Sequence, residues 1–363
     1  MEEVTISNVK DFINVIQNLS IRIDPIEFIK MKDLIDKFED NRKLIYEQDG
    51  EKIVRNKDLK NNLTEIIKLF HKYHLSTEIL FNSFEIKGNR IYEKDPKIEY
   101  LYRGVYDGVN YNLLPSCFRG GNYEKEDKYY HYIKSRCSSE FNNRNHLDTL
   151  VTLQHYDCPT RLLDVTYNPL VALYFACKNY NCSKCDNSLY GYVYVFATPR
   201  ERILFKDSDR VIMLSCLARF THIELLKMHD ACVDLILKKG INAIFDSHSK
   251  NKEIDKLYHE IRTEIDFEKR ISAIDLLQTY FVQPDYTNKR IDKQNGAFII
   301  SGLSKNQEEI EQKINYNVHT KIKILNRSNI LKELDKLNIN EATLFPELDK
   351  VSRYYVEKIS KEK

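Results

Sequence analysis

Apolar residues in the first 85 positions recur with a helical period. Leu59, Leu63, Ile66, Ile67 and Phe70 fall at i, i+4, i+7, i+8 and i+11, which is one face of a helix. In Asp24-Pro25-Ile26-Glu27 an N-cap residue, a proline at the first helical position and a first-turn carboxylate mark a helix start. The expectation for residues 1–85 is a helical N-terminal layer. From Ile98 the period changes to two, with Ile98, Tyr100 and Tyr102 alternating with Lys97, Glu99 and Leu101 until Arg103-Gly104 ends the run. This predicts a strand that presents Arg103 at its end.

Further along, the pattern predicts a polar helix around 123–142 and a buried helix capped by Asn168-Pro169 ahead of Leu170, Val171, Ala172, Leu173, Tyr174 and Phe175. Residues Tyr190 to Ala197 are the most strand-like run, aromatic and β-branched throughout. Thr221-His222-Ile223-Glu224 is a capping-box pattern whose helix stops at Gly240, and Ile254, Leu257, Tyr258, Ile261 and Ile265 mark another amphipathic helix. Strands at Ala297–Ile300 and Lys321–Leu325 and helices from Ser328 and Pro346 complete the chain. No period of 20 to 50 residues recurs, so the fold class is α+β without strict βαβ order rather than a solenoid.

Composition narrows the function classes. The 363 residues are 42% hydrophobic and 30% charged, as in a globular chain, and 10 glycines and 8 prolines are too few for a turn-rich all-β sandwich or propeller. With 56 Lys+Arg against 54 Asp+Glu there is no broad field to gather nucleic acid or anionic lipid, so such contacts have to be local. No run approaches the roughly 18 apolar residues of a membrane helix, and Met1-Glu2-Glu3-Val4 is not a signal sequence. The expected compartment is the cytoplasm, with the eight cysteines as reduced thiols. Cys177, Cys182 and Cys185 include one C-x-x-C, but only three ligands are local, so they read as a reduced loop rather than as a zinc site.

Two stretches carry candidate chemistry. Tyr102-Arg103-Gly104 offers a fixed fork of donors beside a residue that lets a phosphate or carboxylate approach the backbone. Gln154-His155-Tyr156-Asp157-Cys158-Pro159-Thr160-Arg161-Leu162-Leu163-Asp164-Val165-Thr166 packs polar groups between apolar segments, where they need partners. A purely structural reading of this stretch pairs Arg161 with Asp164 and leaves His155 as a satisfied core histidine.

Together with Leu113-Leu114-Pro115-Ser116-Cys117-Phe118-Arg119-Gly120 and the block Asn168 to Ala176, these stretches closely resemble the FRG domain, a family named for its aromatic-Arg-Gly motif. Gly191 to Val195, Arg290-Ile291, Gln294-Asn295-Gly296-Ala297-Phe298 and Leu344-Phe345-Pro346-Glu347-Leu348 extend the resemblance over roughly residues 85–355. It implies a helical region over 1–85, an FRG domain over 86–355 and a basic tail over 356–363. The family usually has tryptophan where Val165 stands, and this chain has none.

The resemblance further implies a split β-sheet core similar to the ADP-ribosyltransferases, with NAD held in a cleft. Arg103 would match the arginine that orients NAD, Thr166 the hydroxyl that supports the nicotinamide ribose, and Gln294 the late-strand residue that polarises the ribose. In that pattern Arg103, His155, Asp164 and Gln294 are the catalytic candidates, while Tyr102, Gly104, Thr160, Arg161 and Thr166 help to hold the cofactor. Gly296 stands where the transferases carry glutamate. Three readings follow: Asp164 supplies the missing charge, the site catalyses differently, or it binds a nucleotide without turnover. Partners would be a nucleotide or NAD and a protein or nucleic-acid acceptor, with a role in bacterial antiviral defence or toxicity by analogy. The competing class is a non-catalytic module that senses a nucleotide or RNA.

Overall fold

The computed structural model describes residues 2–19, 33–43, 57–72, 84–87, 90–93, 98–107, 113–178, 190–286 and 288–360. Among these the largest sheet has eight strands: β1 (Glu2–Ile6), β2 (Ile98–Val105), β3 (Leu162–Thr166), β4 (Gly191–Pro199), β5 (Ile203–Phe205), β6 (Thr279–Gln283), β7 (Gly296–Ser301) and β8 (Val318–Ile324). Their order is β1-β8-β4-β2-β3-β7-β6-β5, mostly antiparallel, with parallel pairings of β1 on β8 and of β6 on β5. Helices cover both faces, which is why every residue of the aromatic and β-branched β4 is buried. The class is α+β, as the pattern predicts.

The sheet has a weak seam. β2 pairs with β4 from Ile98↔Pro199 to Val105↔Tyr192, and β3 pairs with β7 from Gly296↔Thr166 to Ile300↔Leu162. Between β2 and β3 there is the single pair Tyr102↔Thr166. The two strands therefore part on leaving this pair, and a cavity opens there.

Helix α1 (Pro169–Cys177) fixes the geometry on one side of the seam. Pro169 is in its first turn and the Asn168 side chain accepts from the Leu170 N–H at 2.9 Å, the cap that the sequence predicts. The helix lies directly on the backbone of β2 and β4. A Cβ at Gly104 would stand 1.8 Å from the Ala172 carbonyl oxygen, and one at Gly191 would stand 2.2 Å from that of Ala176. Gly104 thus admits the helix against the β2 backbone.

The N-terminal region departs from the all-helical expectation. Helical segments do occupy 33–43 and Lys57–Lys72, with Leu59, Leu63 and Ile66 buried along the predicted face. Glu2–Ile6, however, is a strand at the sheet edge, in register from Glu2↔Thr320 to Ile6↔Ile324. Five residues are too few to show a period, and the pairing partner lies more than 300 positions away in sequence. The helix start at Asp24-Pro25 lies outside the described residues.

A second departure bears on the site. Gln294 does not sit on a strand: Lys289–Lys293 is a short helix, α2, capped by the Asn288 side chain, and Gln294 is its C-cap. Asn295 follows at φ 47°, and β7 begins only at Gly296. Elsewhere the expected elements form, including the reciprocal Thr221/Glu224 capping box, whereas β5, β6 and the helices Asp209–Cys216 and Gln307–Asn315 are not among the expectations.

The seating of α1 can be tested by adding one methyl group. Gly104→Ala drives a Cβ into backbone, where no side chain can yield, and should cost at least about 3 kcal/mol in urea unfolding. Gly120→Ala, at φ +58° with nothing within 4 Å, should cost only about 1 kcal/mol. Equal stability of Gly104→Ala and the unsubstituted protein would contradict the packing.

Candidate functional site

The cavity at the seam has a volume of about 340 Å³. β2 contributes Tyr102, Arg103 and Gly104, and β3 contributes Leu162 to Thr166. The helix α3 (His146–His155) and its exit loop add Gln154, His155, Asp157 and Cys158, and α2 with its flanks adds Asn288, Arg290, Gln294 and Gly296. Ser116 and Arg119 complete the polar lining. Three guanidinium groups, Arg103, Arg119 and Arg290, therefore face two carboxylates, Asp157 and Asp164. The local field suits an anion although the whole chain is nearly neutral.

Hydrogen bonds impose a direction on the cavity's main carboxylate. The Leu162 N–H donates to Thr160 Oγ1 at 3.3 Å, the Thr160 hydroxyl donates to Gln154 Oε1, and Gln154 Nε2 donates to Asp164 Oδ1 at 2.6 Å. Because Gln154's oxygen is engaged by a hydroxyl donor, its amide nitrogen has to face Asp164. Arg103 Nη1 donates to the Asp164 carbonyl oxygen at 2.5 Å and lies 3.8 Å from its Oδ2. The Asp164 side chain is 64% exposed, so it stands oriented in the cavity rather than locked in a core pair.

Arg161, expected at a phosphate or paired with Asp164, does neither. Its guanidinium is fully buried, donating to Glu126 through Nε at 3.0 Å and Nη2 at 2.5 Å and to the Ser301 carbonyl at 3.2 Å. This bidentate pair stands in the core, outside the cavity lining, and ties the start of β3 to the helix Glu126–Arg136. Thr160, also fully buried, is likewise outside the lining and acts on the cavity through Gln154.

Two further candidates line the cavity with their polar groups already committed. Thr166 Oγ1 donates to the Gln294 carbonyl at 2.6 Å and accepts from the Asn168 N–H at 3.0 Å, which staples β3 to the turn before β7. Gln294 Nε2 donates to the Leu344 carbonyl at 3.0 Å, a brace on the segment Leu344 to Glu347. His155 lies 3.9 Å from Glu347 Oε1, and Glu347 Oε2 is buried without a hydrogen-bond partner. Burial and then Arg290 push the His155 pKa down against the pull of Glu347, so the imidazole is neutral at physiological pH. Tyr102 is buried, which raises its phenol to about 12.

Arg119, Arg290 and Gln154 line the cavity without a role expected from the sequence, and Glu347 reaches it through His155. A signal was present for Arg119, since Phe118-Arg119-Gly120 is a second aromatic-Arg-Gly triplet. Its Nε donates to the Leu114 carbonyl at 2.9 Å. Of the three clustered cysteines, Cys177 is a buried free thiol, and Cys182 and Cys185 lie outside the described residues. Among the described residues no helix is long and apolar enough to cross a membrane.

Residues 98–185 match the FRG domain family, so the chain carries an FRG domain over β2, the cavity loop, β3 and α1. The match ends at 185, short of α2 and of the Leu344 to Glu347 segment. No curated protein and no solved structure matches the chain.

The structural place of Arg161 predicts a thermodynamic cycle. Arg161→Met leaves a buried, unpaired Glu126 and should cost about 3–5 kcal/mol, whereas Arg161→Met with Glu126→Leu should recover most of that loss. No recovery in the double variant would contradict the pairing. For His155, an NMR titration should give a pKa below its ordinary 6.5, rising in Arg290→Gln and falling further in Glu347→Gln. Shifts of the opposite sign would contradict the assigned neighbours.

Proposed function

We propose that the FRG domain binds a nucleotide, NAD, in the cavity at the seam and opens the bond between nicotinamide and ribose, delivering ADP-ribose to a macromolecular acceptor or to water. One observation carries this reading: an exposed carboxylate, Asp164, is aimed into an arginine-lined cavity by a fixed hydrogen-bond chain. Bond opening leaves positive charge on the ribose while its electron pair departs with nicotinamide. Asp164 supplies the stabilising charge that Gly296 lacks. The acceptor oxygen then bonds to the ribose carbon and gives up a proton, and His155, neutral and lining the cavity, is a base suited to take it. The arginines that line the cavity hold phosphate oxygens. A sheet whose strands part at a single pair is also what a split-sheet, ADP-ribosyltransferase-like core requires, and a bacterial defence or toxin effector is the cellular role that such chemistry would serve.

The binding-module reading keeps one observation in its favour, since Gln294 is engaged with the Leu344 carbonyl rather than open to a ribose. The two readings separate on nicotinamide release from NAD, measured with and without cell extract as acceptor source. The enzyme reading expects release that falls about 100-fold or more in Asp164→Asn, and binding that weakens in Arg103→Ala. NAD binding with no release under either condition leaves the sensing module. Absence of NAD binding removes the cofactor from the account.

A further inference from the structure

Beside the cavity, which Arg290 lines, two cations approach one aromatic ring. Lys178 Nζ lies 4.2 Å and Arg290 Cζ 4.8 Å from the Phe345 ring centroid. Neither cation makes an ion pair with a carboxylate among the described residues. The acids nearby are otherwise engaged: Glu341 with Arg353, Asp349 with Lys350 at 3.4 Å, and Glu347 facing His155.

The chain holds this arrangement in place from three sides. Lys178 is the C-cap of α1, its N–H bonded to the Tyr174 carbonyl at 2.8 Å. Arg290 is set in the first turn of α2 by the Asn288 side chain. Phe345 is buried against Phe175, and the preceding carbonyl is braced by Gln294. Burial lowers the Lys178 pKa first; Glu341 opposes it, and the neighbouring Arg290, Arg353 and Lys350 add to the lowering. Two cations held close to one ring, with the nearby Glu341 bonded to Arg353, gain when an anion bridges them.

We propose that Lys178 and Arg290, close to the Phe345 ring, form an anion subsite beside the cavity that takes the diphosphate of a nucleoside diphosphate group. The assignment rests on the nucleotide reading for the identity of the ligand, and it deepens that reading. Arg103 and Asp164 lie by the seam, and Arg290 lines the cavity from α2, so the ligand spans from a sugar beside Asp164 to phosphates beside Phe345. Gln294 then has a positioning role: it holds the Phe345 segment under the two cations and does not touch the ribose.

Calorimetric titration of ADP-ribose, and separately of inorganic pyrophosphate, into the full chain tests the subsite. Both ligands should bind, and Arg290→Gln and Lys178→Gln should each weaken both affinities about tenfold, or about 1.4 kcal/mol. Lys332→Gln, an exposed charge elsewhere, should leave them unchanged. Unliganded melting curves check that each variant is folded. If ADP-ribose binds with the same affinity, within twofold, in both variants, the subsite is wrong and the nucleotide reading stands. If pyrophosphate responds to both variants while ADP-ribose and NAD do not bind, the subsite stands and the nucleotide reading falls. If neither ligand binds the unsubstituted protein at millimolar concentration, both are wrong.

Discussion

The carbonyl of Ala172 occupies the space where a side chain at residue 104 would be. Because Gly104 has none, α1 settles onto the backbone of β2, and Gly191 allows the same on β4. This close approach holds β2 and β4 together as one plate. Arg103, immediately before Gly104, must then project from the opposite face of β2, since successive side chains alternate across a strand. The glycine in the aromatic-Arg-Gly motif sets the arginine's direction by letting a helix approach on the other side. With β2 held to β4, β3 turns away with β7 after a single shared pair, and the cavity is the space between them.

Buried and exposed charge are sorted by this arrangement. Arg161 and Glu126 form a complete, dry, bidentate pair that anchors the start of β3 and offers nothing to a ligand. Three residues on, Asp164 points outward, oriented by Gln154 and accompanied by Arg103. The same short strand thus carries a structural arginine at one end and the chemically available carboxylate in its middle. Thr160 and Thr166 serve both ends as hydrogen-bond staples, which explains why a run so dense in polar side chains can lie among apolar segments.

Much of the fold was legible in the sequence where local signals are strong. The Asn168-Pro169 cap, the Thr221 capping box, the period-two run at Ile98 and the β-branched run before Pro199 all report local geometry, and each marks the element that forms. Pairings over long sequence distances were not legible. Nothing near Glu2 announces its partner at Thr320, and nothing near Arg161 announces Glu126. The composition of the site was visible but not its division of labour. Asp164 and Arg103 face the cavity, while Arg161, Thr160 and Gln294 support it. Only the three-dimensional partner of each donor separates these two groups. The five-residue helix Lys289–Lys293 was too short for periodicity to reveal, and it moves Gln294 off the strand on which a transferase-like motif would place it.

The central claim is that the parted strands form a nucleotide site with its sugar at Asp164 and its phosphates among the arginines. A crystal structure of the protein with ADP-ribose tests it most directly. The account predicts the terminal ribose within hydrogen-bond reach of the Asp164 carboxylate and diphosphate oxygens within reach of Arg103 or Arg290. Ligand density outside this cavity, or a ribose turned away from Asp164 with the phosphates in bulk solvent, would contradict it.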